Sequence, residues 1–303
     1  MIAALVNLEP KIHNTALMQI SYYHKQQGDA VEWFSPLFAG RYDKIYCSSI
    51  FDFTNKSQVP KNAIVGGTGF NVESKLPKEI EDSNLDYSIY PSCKRSYLWF
   101  SRGCNGKCWF CIVQRKEGLL ASVEPKNLNP NGKDIAVMDN NFFEAPKWRE
   151  SLQYLIEARQ PLEFYGVKAA TFTKEHADAL SEVKRRYILH CAWDNPKENT
   201  IEHLQRMAQY ISKRKIRVYY LSVGDQEADS YRSEKMFYAG FDAFCMPIKR
   251  SDPYQRARAR WENMKAIRKT VPFEEYRSGS WNTQSRLSAG CRLLGCNKQE
   301  GKV

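Results

Sequence analysis

The residues best suited to chemistry are three cysteines, Cys104, Cys108 and Cys111, in the stretch S-R-G-C-N-G-K-C-W-F-C from Ser101 to Cys111. Their C-x3-C-x2-C spacing puts three soft thiolate ligands on one short loop, which asks for a metal. Zinc would need a fourth ligand, and structural zinc sites usually bring theirs in two pairs. No second pair and no C-x2-C…H-x3-H arrangement lies at zinc-finger distance. Three thiolates without a nearby fourth suit a 4Fe-4S cluster in which one iron stays open to bind something else. Arg102, Lys107, Arg115 and Lys116 flank the loop and offset the thiolate charge.

A loop of this kind must be held by regular elements, and the flanking sequence supplies them. The apolar run Tyr97–Phe100 reads as a strand that delivers the cysteines. Further strands are expected at Ile135–Met138, Leu162–Val167, Tyr187–Ala192, Ile216–Val223 and Ala243–Met246. Between them lie apolar stripes of helical period: Trp148, Leu152, Leu155 and Ile156; then Ala177, Leu180 and Val183; then Ile201, Leu204, Ala208 and Ile211. Strands alternating with helices imply a parallel sheet wound in one hand, with functional groups gathered at the carboxyl ends of the strands. Ahead of this series, Ile2–Leu8 reads as a strand, and Asn14 caps a helix bearing Leu17, Ile20 and His24 on one face before Gly28 ends it. Ala30–Phe34, Lys44–Ser48 and Ala63–Gly67 are further strand candidates, and the G-G-T-G at Gly66–Gly69 reads as a turn. The expected fold class is α/β: a small Rossmann-like domain over residues 1–92, a partial parallel (β/α)6 barrel of TIM-barrel type over 93–250, and a basic C-terminal helix (Tyr254 to Lys269) with its tail over 251–303.

Composition bounds the remainder. Of the 303 residues 43% are apolar and 26% charged, as in a globular protein with a sizeable core. No apolar run approaches the roughly 20 residues a membrane helix needs, and no signal peptide is evident, so a cytoplasmic place away from any membrane is expected. Cys47, Cys93, Cys191 and Cys245 are scattered, mostly among apolar neighbours, and read as small core residues. Cys291 and Cys296 form a C-x4-C pair read as plain thiols, and no chemistry is assigned to His13, His176, His190 or His203. The formal charge of +11 is concentrated late: residues 249–303 carry 13 Lys/Arg against 5 Asp/Glu, whereas residues 1–90 carry 8 against 10. That bias suits an acidic or polyanionic partner and, equally, a solvated basic face that aids solubility.

The motif Cys104-x3-Cys108-x-Phe110-Cys111 resembles that of the radical S-adenosylmethionine (radical SAM) enzymes, and the strand–helix series is similar to their partial barrel. The likeness spans roughly Ser96 to Met246 and the helix that follows. It implies two cofactors, a site-differentiated 4Fe-4S cluster on the three cysteines and S-adenosylmethionine chelated to the open iron. It also implies a reductant such as flavodoxin or ferredoxin, and reductive cleavage to a 5′-deoxyadenosyl radical that takes hydrogen from substrate. Phe110 precedes the last cysteine of the motif. Asp139 and Asn140, in a turn that resembles the D-D-N-F of one branch, are expected near the SAM amine, and Lys168 near its carboxylate. Asp194 is expected near the ribose or substrate, Gly224 at close backbone approach to a ligand, and Met246 bordering the adenine. The first domain looks like the cobalamin-binding domain found ahead of one radical SAM branch. It lacks that domain's D-x-H-x2-G, having His24-Lys25-Gln26-Gln27-Gly28 instead, so a degenerate domain without cobalamin is expected.

A non-catalytic reading stands beside this one: the cysteines hold zinc or an inert iron-sulfur cluster while the basic C-terminal part grips nucleic acid. A zinc knuckle needs no six-strand scaffold, which weighs against it. For substrate, the basic residues from Lys249 onward, interleaved with Tyr254, Trp261, Phe273, Tyr276 and Trp281, suit RNA or an acidic peptide. The same aromatics also suit packing of the last helices onto the barrel.

Overall fold

The structure, a computed structural model, describes residues 1–278. Trp281, Cys291 and Cys296 lie outside the described residues. The chain divides into two compact units, one of residues 1–166 with 179–187 and the other of 167–178 with the chain from Ile188 onward.

The first unit opens with β1 (Ile2–Asn7), α1 (Thr15–Gln26), β2 (Ala30–Trp33), β3 (Lys44–Ser48) and β4 (Ile64–Gly66), whose strands form a parallel sheet in the order β2-β1-β3-β4. Asn14 caps α1 as its sequence requires, its side chain accepting from Leu17 N at 3.1 Å. Leu17 and Ile20 pack against Ala3, Leu5 and Tyr46 of the sheet. His24 on the same face is 1% exposed and fully satisfied, with Nδ1 at 2.7 Å from Asp29 and Nε2 at 3.0 Å from the Tyr46 hydroxyl. It is a core histidine with both ring nitrogens bonded inside the unit. The strand ends are filled by the chain's own groups. Tyr90 Oη accepts from Asn7 Nδ2 (3.0 Å) and Asn14 N (3.2 Å), and Asn14 Nδ2 donates to Ser48 Oγ at 2.8 Å. Gly67 and Gly69 serve as the turn their sequence suggests, seated against the loop after β3: a Cβ would meet Ser49 O at 2.3 Å from the first and Phe51 O at 2.4 Å from the second.

The same unit continues with α2 (Lys78–Glu81), β5 (Arg95–Leu98), β6 (Ser101–Arg102), α3 (Val113–Glu117), β7 (Ala121–Ser122), β8 (Asp134–Val137), α4 (Trp148–Ala158) and β9 (Leu162–Phe164). β5, β8 and β9 pair in parallel, with Tyr97, Ala136 and Glu163 in register. β6 and β7 form a short antiparallel ribbon at the base of the cysteine loop. At the amino ends of β5 and β8, Arg95 is held by Asp134 (2.6 Å) and Glu163 (2.9 Å), which close that end with charge pairs. In a parallel barrel the amino ends carry stability and the carboxyl ends carry chemistry.

After α5 (Lys174–Ser181), the second unit is built on β10 (Tyr187–Ala192), α6 (Thr200–Met207), β11 (Ile216–Ser222), α7 (Gln226–Tyr238), β12 (Asp242–Pro247), α8 (Pro253–Asn263), α9 (Lys265–Thr270) and α10 (Phe273–Ser278). β10, β11 and β12 run parallel. Period-two burial along β11 puts Ile216, Val218, Tyr220 and Ser222 inside, alternating with more open residues. The single basic helix expected over Tyr254 to Lys269 is two helices. Asn263 breaks it by pairing with the backbone of Cys245 on β12, donating from Nδ2 to O (2.9 Å) and accepting from N at Oδ1 (2.8 Å). Its carboxamide thereby completes hydrogen bonds of the edge strand, and Met264 leaves the helical conformation. The aromatics of this region are core: Tyr254, Trp261 and Phe273 form one buried cluster with Tyr276 packed against it. Arg258, 2% exposed, lies 5.0 Å from the Trp261 ring centre and 4.7 Å from that of Phe273. Part of the C-terminal basic surplus therefore works inside the fold.

No described helix is long and apolar enough to cross a membrane.

Candidate functional site

The cysteine loop leaves the carboxyl end of β5 by way of β6. Its base is fixed by two carboxylates from elsewhere in the first unit. Asp139, just past β8 and 1% exposed, accepts from Ser101 Oγ at 2.5 Å and Phe100 N at 3.1 Å. Burial raises its carboxyl above the ordinary aspartate range, against the pull of those donors. Glu117, the last residue of α3, accepts from Arg102 Nη2 (2.7 Å), Gly103 N (3.0 Å) and Asn140 Nδ2 (3.2 Å). The Asn140 amide also donates to Gly103 O at 3.2 Å. Asp139 and Asn140 thus belong to one arrangement with the cysteine loop, and their side chains grip it.

Two glycines permit this packing. Gly103 has φ +78°, and a Cβ there would lie 2.2 Å from Leu119 O. Gly166, past β9, would place a Cβ 2.2 Å from Asn140 O and 2.3 Å from Asp139 O, so the turn after β8 rests directly on its backbone.

Beyond this base the loop opens. Cys104 is half-buried, while Cys108 and Cys111 are exposed. Backbone N–H groups point at two of the sulfurs, Gly106 N at 3.3 Å from Cys104 Sγ and Val113 N at 3.4 Å from Cys111 Sγ. The site of Gly106 is a small cradle, for a Cβ there would stand 3.3 Å from Cys104 Sγ and 3.9 Å from Cys108 Sγ. Phe110 is half-buried and meets Trp109 edge to face. By contrast, burial raises the Cys47 thiol to about 11 and the Cys191 and Cys245 thiols to about 12, which keeps them protonated and inert. Among the described residues no three His, Cys, Asp or Glu side chains are grouped closely enough to hold a single metal ion. Three thiols on one loop, two of them facing backbone N–H donors, nonetheless fit the thiolate ligation of an iron-sulfur cluster, a multi-iron core larger than one ion.

A cavity of about 1090 Å³ lies beside the loop base within the first unit, bounded by Trp99, Arg102, Lys116, Glu117 and Lys126 on one side and by Ser48, Val65, Ser74 and Glu81 on the other. Six Lys/Arg and four Asp/Glu line it, a surplus of positive charge. Lys116 donates to Ser74 O and Lys126 to Glu81 O (2.9 Å). Burial lowers both lysines below the usual ammonium range.

The other expected site residues fall in the second unit. Lys168 is exposed just after β9, and Met246 is half-buried on β12, in register with Leu221. Gly224 has φ +89° and precedes Asp225, which caps α7 through Ala228 N at 3.0 Å, so the turn itself calls for glycine. Asp194 Oδ1 accepts from Leu221 N at 3.0 Å and ties the ends of β10 and β11. Burial pushes its carboxyl up to about 6, outweighing the Leu221 hydrogen bond and the nearby Arg232 charge. Because the folded state then holds a proton that the unfolded chain releases near pH 4, stability falls as pH rises from about 4 to about 6 and is level above. Asp194→Asn keeps the acceptor and removes the charge. Its melting temperature relative to the natural protein should climb by several degrees across that window and then stay constant, measured by thermal unfolding from pH 4 to 8. A difference flat with pH would contradict the assignment.

Sequence reasoning missed Arg232, which is fully buried. Its guanidinium donates to Trp193 O (2.9 Å), Asp194 O (3.0 Å), Leu221 O (2.9 Å), Ala228 O (3.3 Å) and Asp229 Oδ1 (2.7 Å). Asp229 Oδ2 accepts in turn from Ser222 Oγ at 2.5 Å. The strand ends that carry Asp194 are therefore pinned from behind by one arginine. A local signal existed in the (i, i+3) pairing of Asp229 with Arg232, but such pairs are common on solvated faces.

A scan against protein-family models finds no match, and a search of curated proteins finds none by sequence. Among solved structures, the chain is similar to the radical S-adenosylmethionine methyltransferase TsrM from Kitasatospora setae, a structure with tryptophan substrate and the SAM analogue aza-SAM bound. The TM-score is 0.59 at 13% identity, over 80% of this chain and 72% of that one. The likeness and the parallel strand–helix order give the chain the α/β fold of that structure, a partial barrel preceded by a Rossmann-like domain.

Proposed function

We propose that the protein is a radical SAM enzyme. One observation carries the reading: an accessible Cys104, Cys108, Cys111 loop, braced at the carboxyl end of a parallel strand, in a chain with the fold of that superfamily. When bound, a 4Fe-4S cluster with one open iron would supply the electron that cleaves S-adenosylmethionine to a 5′-deoxyadenosyl radical. Cys104, Cys108 and Cys111 would hold the cluster. Asp139 and Glu117 hold the base of the loop, and Phe110, Asn140, Lys168, Asp194, Gly224 and Met246 are the remaining candidates to orient SAM. The filled strand ends and the internally bonded His24 support reading the first sheet as a scaffold without cobalamin.

The positive surplus of the cavity beside the loop supports a substrate bearing negative charge, RNA or an acidic peptide. A one-electron donor of flavodoxin or ferredoxin type would complete the system. The test is anaerobic reconstitution with iron and sulfide, followed by dithionite and SAM. Bound iron near four per chain and release of 5′-deoxyadenosine are expected. One zinc per chain, no iron and no cleavage would sink the proposal in favour of a zinc-bearing binding module.

A further inference from the structure

The first part of the cysteine loop is held through several bonds. Residues 114–120 grip its first part on several sides: Gln114 Nε2 donates to Cys104 O (2.9 Å), Cys104 N to Gly118 O (3.2 Å), and Leu120 N to Asn105 Oδ1 (3.2 Å). At the centre stands Glu117, whose side chain is 17% exposed. As a salt bridge to Arg102 alone it would matter little, because partly exposed pairs contribute at most about 1 kcal/mol. Its other two donors change that. Gly103 is buried, and its N–H has Glu117 Oε2 as acceptor; the same oxygen takes the Asn140 amide. Without the carboxylate, a buried N–H at the residue before Cys104 loses its partner, and the Asn140 carboxamide keeps only its bond to Gly103 O on this loop. The exposed Cys108 and Cys111 share a turn with the local bond from Cys111 N to Cys108 O at 3.0 Å.

We propose that Glu117 is a positioning residue: its carboxylate fixes Cys104 and the Asn140 carboxamide in one relation before any metal binds, so that the SAM-binding geometry depends on it. This rests on the radical SAM reading for its second half only. The prearrangement of Cys104 stands or falls in the metal-free protein.

The experiment compares the full chain with Glu117→Ala and Glu117→Gln in two measurements. In the metal-free, reduced protein, alkylation by iodoacetamide is followed at each cysteine by mass spectrometry. Cys104 should react about tenfold slower than Cys108 and Cys111, as local protection of that size requires only a small opening free energy. Glu117→Ala should bring Cys104 within about threefold of the other two, while they are unchanged. Glu117→Gln should fall between, because its amide oxygen still accepts from Gly103 N but no longer pairs with Arg102. In the reconstituted protein, Glu117→Ala should retain its iron. It should bind SAM about tenfold more weakly and lose the change that SAM produces in the electron paramagnetic resonance spectrum of the reduced cluster. Equal protection of Cys104 in all three proteins, or a loss of protection at all three cysteines alike, overturns the proposal. A natural protein that takes up no iron would refute the enzyme reading while the alkylation result still judges Glu117. Should the alanine variant not fold, by circular dichroism, the glutamine variant decides: protection of Cys104 equal to that of the natural protein overturns the proposal.

Discussion

Alanine at any one of Cys104, Cys108 or Cys111 is expected to abolish iron retention and SAM cleavage while leaving the fold intact. Both halves follow from where the sulfurs lie. Cys108 and Cys111 are exposed, so truncation opens no cavity, and exposed substitutions usually shift stability by no more than about 0.5 kcal/mol. A cluster with three protein ligands has none to spare, so losing one thiolate removes a third of its anchorage. The buried cysteines provide the contrast. Cys191, 2% exposed beside Met207 Sδ at 3.9 Å, fills core space with a thiol whose burial keeps it protonated. Cys191→Ala should cost about 1 kcal/mol as a small cavity and leave iron content unchanged. Iron analysis after anaerobic reconstitution, paired with thermal unfolding of the metal-free proteins, checks both classes at once. Full iron in Cys108→Ala, or loss of iron in Cys191→Ala, would show that the wrong thiols had been chosen.

The two classes of cysteine were legible in the sequence for a physical reason. Ligand spacing on one loop is a local property, and so are the strand that delivers the loop and the Asn14 cap that starts α1. What escaped is what depends on distant packing. Glu117 reads as one more acid at the end of a short charged helix, yet it accepts a backbone N–H fourteen residues earlier and an amide from past β8. The D-D-N-F-like turn, expected near the SAM amine, lies against the base of the cysteine loop. Its carboxylate is turned toward Ser101 and Phe100, a choice fixed by how β5 and β8 end side by side. The basic C-terminal stretch is a further case. Charge counting does not separate Arg258, Arg268 and Glu262 from surface residues, yet Glu262 is 2% exposed and accepts from Arg268 Nε (2.7 Å), Ser233 Oγ (2.6 Å) and Tyr220 Oη (3.0 Å). Burial of paired charges is a property of the folded unit and leaves no periodic trace.

The largest stability effect should come from another such residue. Arg232→Met is expected to destabilise the second unit by about 3–5 kcal/mol, the cost of leaving one partner of a buried ion pair uncompensated. The arginine, 0% exposed, satisfies the carbonyls of Trp193, Asp194 and Leu221 at the ends of β10 and β11 while neutralising Asp229, also 0% exposed. Methionine fills much of the volume but supplies no donor. Asp229 then keeps the Ser222 hydrogen bond and the Arg258 charge, and taking up a proton relieves the rest, which burial already favours by raising its carboxyl above the ordinary range. The double variant Arg232→Met, Asp229→Leu separates the two costs. Removing the orphaned carboxylate should return part of the loss, since apolar replacement of a whole buried pair is often close to neutral. Recovery should be incomplete, because the three carbonyls still lack donors at about 1 kcal/mol each and Ser222 loses its acceptor. Urea unfolding of the three proteins gives the comparison. A single variant within about 1 kcal/mol of the natural protein would mean that solvent reaches those strand ends, and that Asp194 is held by something other than the arginine behind it.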